Sequence, residues 1–597
     1  MVIKIIKPEN MVKIALISLL FAMPTKFFHD PITIPKIIIL SILVALVLMT
    51  SLKLNTSIKL LIIIWLLPLA TILISITDDY NFFLNFFGDY NRGFGIYLTV
   101  LCSIFTTYMA NQPLLNAQLI LRYFFITAMI ITMYQSMQLI NLDLLGIGNA
   151  GTAASLAGNT NMSSVLVATF SLSLLASNQI FLTRTKFWAS AGLLIFSLSI
   201  LQFKTQQGFL VLLVGMVTYI FYRVTSKLEV KKYLSTSIYF IFWVVGILVL
   251  YKIMLVTPLF SFLDGDGNYS RRVAYWKAGM EIFKERPIFG IGMNGFLHEY
   301  TKNRGIDSIL RDGAAAWVDT PHSVPVQMLS NGGLLLFTSW AIFILAISFT
   351  ALKNYQSVDA AKRDLKNTQL AILCIWFGFC AQFLVSIWEI SIIITLSILS
   401  GLILNQRFRI KSLELENSQS SSKFNFMKFF KINISVFFLC ISIYLTVTQV
   451  IFANYVNQKN EGDFQIMKIV KHYPNYILLD QLANSDIRKV RVNEAIELEK
   501  LSVKLNPVNS RGYYQIGISY RYLGQLLLAQ DMFITALKFD QYNVFYLEQL
   551  VRVQVDLGEL AQAKENYDRI LYINNTYSKL TELKVLIDKG SSTKISN

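Results

Sequence analysis

The stretch "VPVQMLSNGGLLLFTSWAIFILAISFTAL" (324–352) decides the fold. It contains no charged residue and exceeds the roughly 17–25 residues a helix needs to cross a bilayer. Similar apolar runs recur at 11–27, 33–51, 58–76, 94–110, 117–140, 162–180, 187–203, 207–223, 235–256, 367–386, 390–405 and 431–454. The composition agrees, with 54% hydrophobic, 13% aromatic and only 15% charged residues, a balance that places most of the chain in a membrane. The sequence therefore predicts an all-α, polytopic membrane protein of about 12–13 transmembrane helices.

The net charge of +17 sits in particular loops. Lys4, Lys7 and Lys13 flank the first run, Lys53 and Lys59 follow the second, and Arg184 and Lys186 follow the sixth. Arg223, Lys227, Lys231 and Lys232 follow the eighth; Lys353, Lys362, Arg363 and Lys366 the tenth; Arg407, Arg409 and Lys411 the twelfth. If the spans alternate, all these loops share one side, which the positive-inside rule makes cytoplasmic. The amino terminus is then inside, while loops 77–93 and 257–323 and the region after 455 are outside. The charge orients the protein, which excludes a nucleic-acid reading. The first run reads as a retained signal anchor, because further spans follow at once. Cys102, Cys374, Cys380 and Cys440 all fall in apolar runs, so no disulfide framework or zinc site is expected.

The organisation follows. Residues 1–405 form the membrane domain, including the external loop 257–323. The serine-rich stretch 406–430 is a cytoplasmic linker to a final span at 431–455, and 456–597 is an extracytoplasmic helical domain. In "GYYQIGISYRYLGQLLLAQDMFITALKFDQ" (512–541), Tyr513, Ile516, Gly517, Tyr520, Ala529, Phe533 and Ala536 fall at tetratricopeptide spacing. Leu547, Leu550, Gly558, Ala563 and Tyr567 repeat the pattern 34 residues on, and Ala495 and Pro507 fit one repeat earlier. Small residues such as Gly517, Ala529 and Ala563 serve close helix contacts; an irregular helical bundle is the alternative. Such repeats offer a surface to a protein partner or brace a neighbour.

The loop 257–323 is too long for a plain connection. Within "RRVAYWKAGMEIFKERPIFGIGMNGFLHEY" (271–300), Val273, Trp276, Met280 and Phe283 recur at helical spacing. Pro287 ends that helix, and a glycine-rich turn follows. His322 then precedes the apolar run 324–352, where Gly332 and Gly333 would allow a close approach to a neighbour.

These segments resemble the signature of the O-antigen ligase and polymerase superfamily (the Wzy-C region). "FFGDYNRGFGIYL" (86–98) and "GNTNMSSVLV" (158–167) resemble further family segments, so the likeness runs from about 80 to 405. The resemblance implies a membrane glycosyltransferase of GT-C type, of the branch with C-terminal tetratricopeptide repeats. It would act at the outer face of the bacterial inner membrane and take a glycan from an undecaprenyl-diphosphate carrier, with no metal or other cofactor. A ligase places the glycan on lipid A–core or another surface acceptor, a polymerase on a growing polysaccharide, and a third type on protein.

The residue types suit that chemistry. A departing pyrophosphate needs positive charge, and the arginine fork binds phosphate oxygens in pairs. Arg272 matches the family's arginine, with Arg271 beside it, and Arg92 matches the upstream one. Anchoring to lipid headgroups is the alternative role for Arg271 and Arg272. His322 carries over as the base that takes the acceptor's proton, against the plainer role of closing a loop. His29, His298 and His472 match no motif. Where many members carry an arginine before the run at 207, "KTQQGFL" (204–210) has Gln207, with Lys204 as a substitute charge for the donor diphosphate. Asp264 and Asp266 in "DGDGN" read as a turn rather than a calcium loop, since Tyr275 stands where the closing carboxylate is needed. From another functional class, a polysaccharide export or assembly scaffold would need ionisable residues along its spans, and these runs have few.

Overall fold

The computed structural model describes residues 7–24, 27–28, 30–49, 58–77, 82–88, 93–112, 115–147, 155–176, 192, 196, 205–242, 245, 268–293, 295–314, 316, 318–359, 361–412, 426–457, 476, 479–480, 483 and 491–595. All its regular elements are helices. They are α1 (Pro8–Leu20), α2 (Thr33–Met49), α3 (Ile58–Thr77), α4 (Phe82–Phe87), α5 (Ile96–Ala110), α6 (Ala117–Leu139) and α7 (Thr160–Ser171), which tightens into a 3-10 turn over Leu172–Ala176. Then come α8 (Gln207–Lys227), α9 (Asn268–Glu285), α10 (Phe296–Asn303), α11 (Ile306–Asp312), α12 (Val324–Ser357), α13 (Arg363–Ala381), α14 (Ile390–Ser412) and α15 (Phe426–Asn457). The C-terminal helices are α16 (Val492–Leu505), α17 (Ser510–Tyr522), α18 (Leu526–Phe539), α19 (Val544–Asp556), α20 (Leu560–Ile573) and α21 (Leu580–Ile595).

Among the described residues, six helices are long and apolar enough to cross a membrane: α3, α6, α8, α12, α13 and α15. Four shorter apolar helices, α2, α5, α7 and α14, accompany them. The chain is thus a multi-pass membrane protein by length and composition of its helices. The expected run at 187–203 lies almost wholly outside the described residues. The first run needs correction: its helix occupies 8–20 rather than 11–27. Phe21 is already extended, and beyond it the chain turns back so that Met23 N–H bonds Pro31 O at 2.9 Å.

Two compact units divide the chain. One holds Met1–Leu73, Phe86–Pro258 and Leu335–Gly462; the other holds Ile74–Asn85, Leu259–Leu334 and Asp463–Asn597. In the first, α2 packs on α15, α5 on α14 and α8 on α13. Hydroxyl and amide side chains stitch these pairs, as in Thr106–Ser397 at 2.8 Å and Asn405 Nδ2 to Met109 O at 3.0 Å. Such bonds hold helices together where lipid removes the hydrophobic drive between them.

In the second unit, part of the loop 257–323 packs with the C-terminal helices. These begin at Val492, Leu526 and Leu560, and at Ser510 and Val544, each 34 residues after its counterpart. Ala529, Phe533, Ala536, Leu547, Ala563 and Ile570 are fully buried, with Ile309 and Ala314 of the loop in the same core. Gly517 faces the Phe533 ring, where an added Cβ would stand 2.6 Å from a ring carbon.

Candidate functional site

The site grows from α9. Tyr275, Ala278 and Ile282 are its buried face, packed with Ile291, Phe296, Tyr300 and Val318. Val273, Trp276, Met280 and Phe283 lie along the half-buried flank, because the tyrosines and small residues, rather than the largest apolar ones, meet α10. The helix ends at Glu285, just before Pro287.

Beyond it, the glycine-rich turn locks onto α12. Ile291 N–H bonds Ser330 O at 3.1 Å, Gly292 N–H bonds Asn331 O at 2.9 Å, and Leu334 N–H bonds Pro287 O at 2.8 Å. Asn331 Nδ2 adds a bond to Met293 O at 2.7 Å. Gly290 (φ +66°) and Gly333 (φ +58°) make this possible, since a Cβ on either would meet facing backbone at 2.4 Å. Gly333 also breaks the helical path, so α12 kinks there. The expected close approach at Gly333 is therefore real, and its neighbour is the Pro287–Gly290 turn.

His322 is held by the segment entering α12. Its backbone is left-handed, φ 52°, a conformation that costs a side-chain-bearing residue about 1–2 kcal/mol and that clusters at functional sites. Thr320 and Ser323 beside it are buried, and its ring lies 5.8 Å from that of Tyr275, tilted by 34°. Tyr275 Oη donates to Asp312 Oδ2 at 3.1 Å, and Asp312 Oδ1 meets Arg271 Nε at 3.1 Å. Burial, reinforced by the Asp312 charge, raises the Tyr275 hydroxyl well above the usual tyrosine range. Tyr300, edge-on to Tyr275 and hydrogen-bonded to Ser308, is pushed up to about 12, mainly by burial. Arg271 and Arg272 are both half-buried on the first turns of α9. Arg271, Tyr275, Asp312 and His322 thus form one connected set: a fixed cation, a carboxylate, a protonated phenol and an imidazole.

The other candidates lie in the membrane unit or outside the described residues. Gln207 is the first residue of α8, 3% exposed; its Nε2 donates to Val385 O at 2.7 Å, and its Oε1 has no partner among the described residues. Arg92, Lys204, Asp264, Asp266, His29 and His472 lie outside them. Among the described residues no group of three His, Cys, Asp or Glu side chains could hold a metal. One cavity of about 250 Å³ is lined by Arg304, Arg511, Tyr514, Asp540 and Tyr546 among others, and by none of the set around His322.

Sequence reasoning missed two features. Lys36, in an otherwise apolar helix, is fully buried with Asp30 and Glu389, and its Nζ bonds Ser391 Oγ at 3.2 Å. A charge inside an apolar run is the signal that could have found it. Asp312 is the other; nothing near it in sequence marks it as the partner of Arg271.

Comparison with curated proteins finds no match. The family model described as O-antigen ligase (Wzy-C) matches residues 191–341, which include Gln207, Arg271, Arg272, Tyr275, Asp312 and His322. Residues 191–341 are therefore similar to an O-antigen ligase domain and lie in a multi-pass membrane chain, and this supports a ligase- or polymerase-type function.

Proposed function

We propose that the chain is an O-antigen ligase-like glycosyltransferase that moves a glycan from undecaprenyl diphosphate to an acceptor hydroxyl at the outer face of the inner membrane. The observation that carries the reading is the family match over the segment in which Arg271, Tyr275, Asp312 and His322 are linked. In the transfer, the acceptor oxygen bonds the anomeric carbon as the carbon–phosphate-oxygen bond breaks. The acceptor's proton passes to the His322 imidazole, and undecaprenyl diphosphate leaves with the electron pair. Arg272 and Arg271, with Arg92, Gln207 and Lys204 as further donor contacts, meet the growing phosphate charge. No metal is needed when arginines supply that charge.

The proposed orientation puts the amino terminus in the cytoplasm and the loop and C-terminal tetratricopeptide-type helices outside. Arg304 of the loop touches Asp540, so both must share a side. Among the described residues four apolar helices, α12 to α15, lie between them in sequence; if all four cross the membrane, the even number returns the chain to the same face. Expression of His322→Ala and Arg272→Ala in a strain lacking the enzyme tests the reading. Carrier-linked glycan should accumulate and surface attachment should fall at least a hundredfold. Single carrier-linked repeat units in place of carrier-linked polymer in the deletion strain would mean a polymerase, and loss of glycosylated protein a protein transferase; normal attachment by inserted variants would refute the roles.

A further inference from the structure

We propose that the C-terminal helices bind the chain's own segment 304–316, and that this clamp positions the loop carrying Arg271, Tyr275 and His322. The inference rests on the transfer reading above. It starts at Arg304, 1% exposed in its side chain, paired with Asp540 at 2%. The guanidinium donates from Nε to Asp540 Oδ1 at 3.0 Å and from an η nitrogen to Oδ2 at 2.6 Å. Its remaining donors reach Ala314 O at 3.0 Å and Ala316 O at 3.4 Å. Asn543 Nδ2 joins the same Ala314 carbonyl at 3.1 Å and Asp540 Oδ2 at 2.8 Å.

One side chain therefore ties together both ends of α11, residue 304 before it and residues 314 and 316 after it. That fork also fastens the closed loop to the turn between α18 and α19. Ile309 and Ala314 sink into the core of the C-terminal helices, and α10 packs on α18. α11 ends at Asp312, the partner of Arg271 and Tyr275, and Tyr275 faces His322. A buried ion pair is poor value as bare stabilisation, since apolar residues would hold as well; its directional bonds fix register. Here the register it fixes is that of the Asp312 end. Misplacing reacting groups by about 1 Å costs on the order of a hundredfold in rate. Arg304 and Asp540 are thus positioning residues, and the occupant of the C-terminal helices is a segment of the same chain.

The test uses full-length protein purified in detergent: wild type, Arg304→Gln, Asp540→Asn and the double variant, whose amides can bond each other without charge. Hydrogen exchange over 304–323 and tryptic cleavage after the exposed Arg311 read the clamp. Rates are measured by adding protein to membranes from a deletion strain, which hold the accumulated carrier-linked glycan, at increasing membrane amounts. Each single variant should speed exchange and cleavage in 304–323 while the membrane helices keep wild-type exchange. Its saturated rate should fall at least tenfold with half-saturation within twofold, and the double variant should recover most of both. Unchanged exchange in the single variants would overturn the clamp, and faster exchange with an unchanged saturated rate would overturn positioning. If wild type itself transfers nothing, the transfer reading and the positioning role fall together, while exchange still decides whether the clamp exists.

Discussion

His322 combines a left-handed backbone with a ring near Tyr275, and the two properties can be separated by substitution. Asparagine tolerates that backbone, whereas a β-branched residue does not. His322→Asn should keep stability within about 0.5 kcal/mol, while His322→Val should lose about 1–2 kcal/mol; both should lose transfer, since neither side chain takes a proton near neutral pH. Thermal unfolding in detergent, set beside the transfer rate, checks the pair. Asp480 gives a pH signature. It is fully buried, accepts from Ser502 at 2.6 Å and Asn509 at 3.0 Å, and burial pushes its carboxyl up to about 6. An unfolded aspartate titrates near 4, so the fold favours the protonated form. Its stabilising contribution is full below pH of about 4 and is lost as pH rises through about 6. Melting temperature should fall between about pH 4 and 6 in the wild type, and Asp480→Asn should flatten that slope.

At the scale of elements, the glycine-rich turn and the α12 kink form one joint. Gly290→Ala or Gly333→Ala places a Cβ 2.4 Å from backbone that cannot yield. Each should destabilise by about 3 kcal/mol or more and reduce the amount of inserted protein, measurable by fluorescence size-exclusion. The joint was half legible in sequence. Glycines before an apolar run signal a close approach, but the facing turn lies some forty residues earlier and leaves no periodic trace. The helix 268–285 was legible from its spacing, yet its buried side was not, because large residues at helical spacing mark a stripe and the neighbour decides which edge is covered. The apolar spans read most directly, since length and lack of charge suffice; the first run contains Pro24, and its helix stops at Leu20. Arg304 and Asp540 were invisible, because a pair 236 residues apart has no local signature.

Across the whole molecule, the proposed topology puts Lys302 and Tyr572 on one face of the membrane and Glu229 on the other. In a cysteine-free background, single cysteines at Lys302 and Tyr572, both exposed, should react with an impermeant maleimide in intact spheroplasts. A cysteine at Glu229 should react only after the membrane is opened. Labelling of Lys302 and Tyr572 from opposite sides would break both the topology and the clamp. The account then rests on His322 as the group that activates the acceptor. The most direct measurement follows carrier-linked and surface-attached glycan in a deletion strain expressing His322→Asn at wild-type membrane level. The account expects carrier-linked glycan to accumulate and surface glycan to fall at least a hundredfold; surface glycan within twofold of wild type would contradict it.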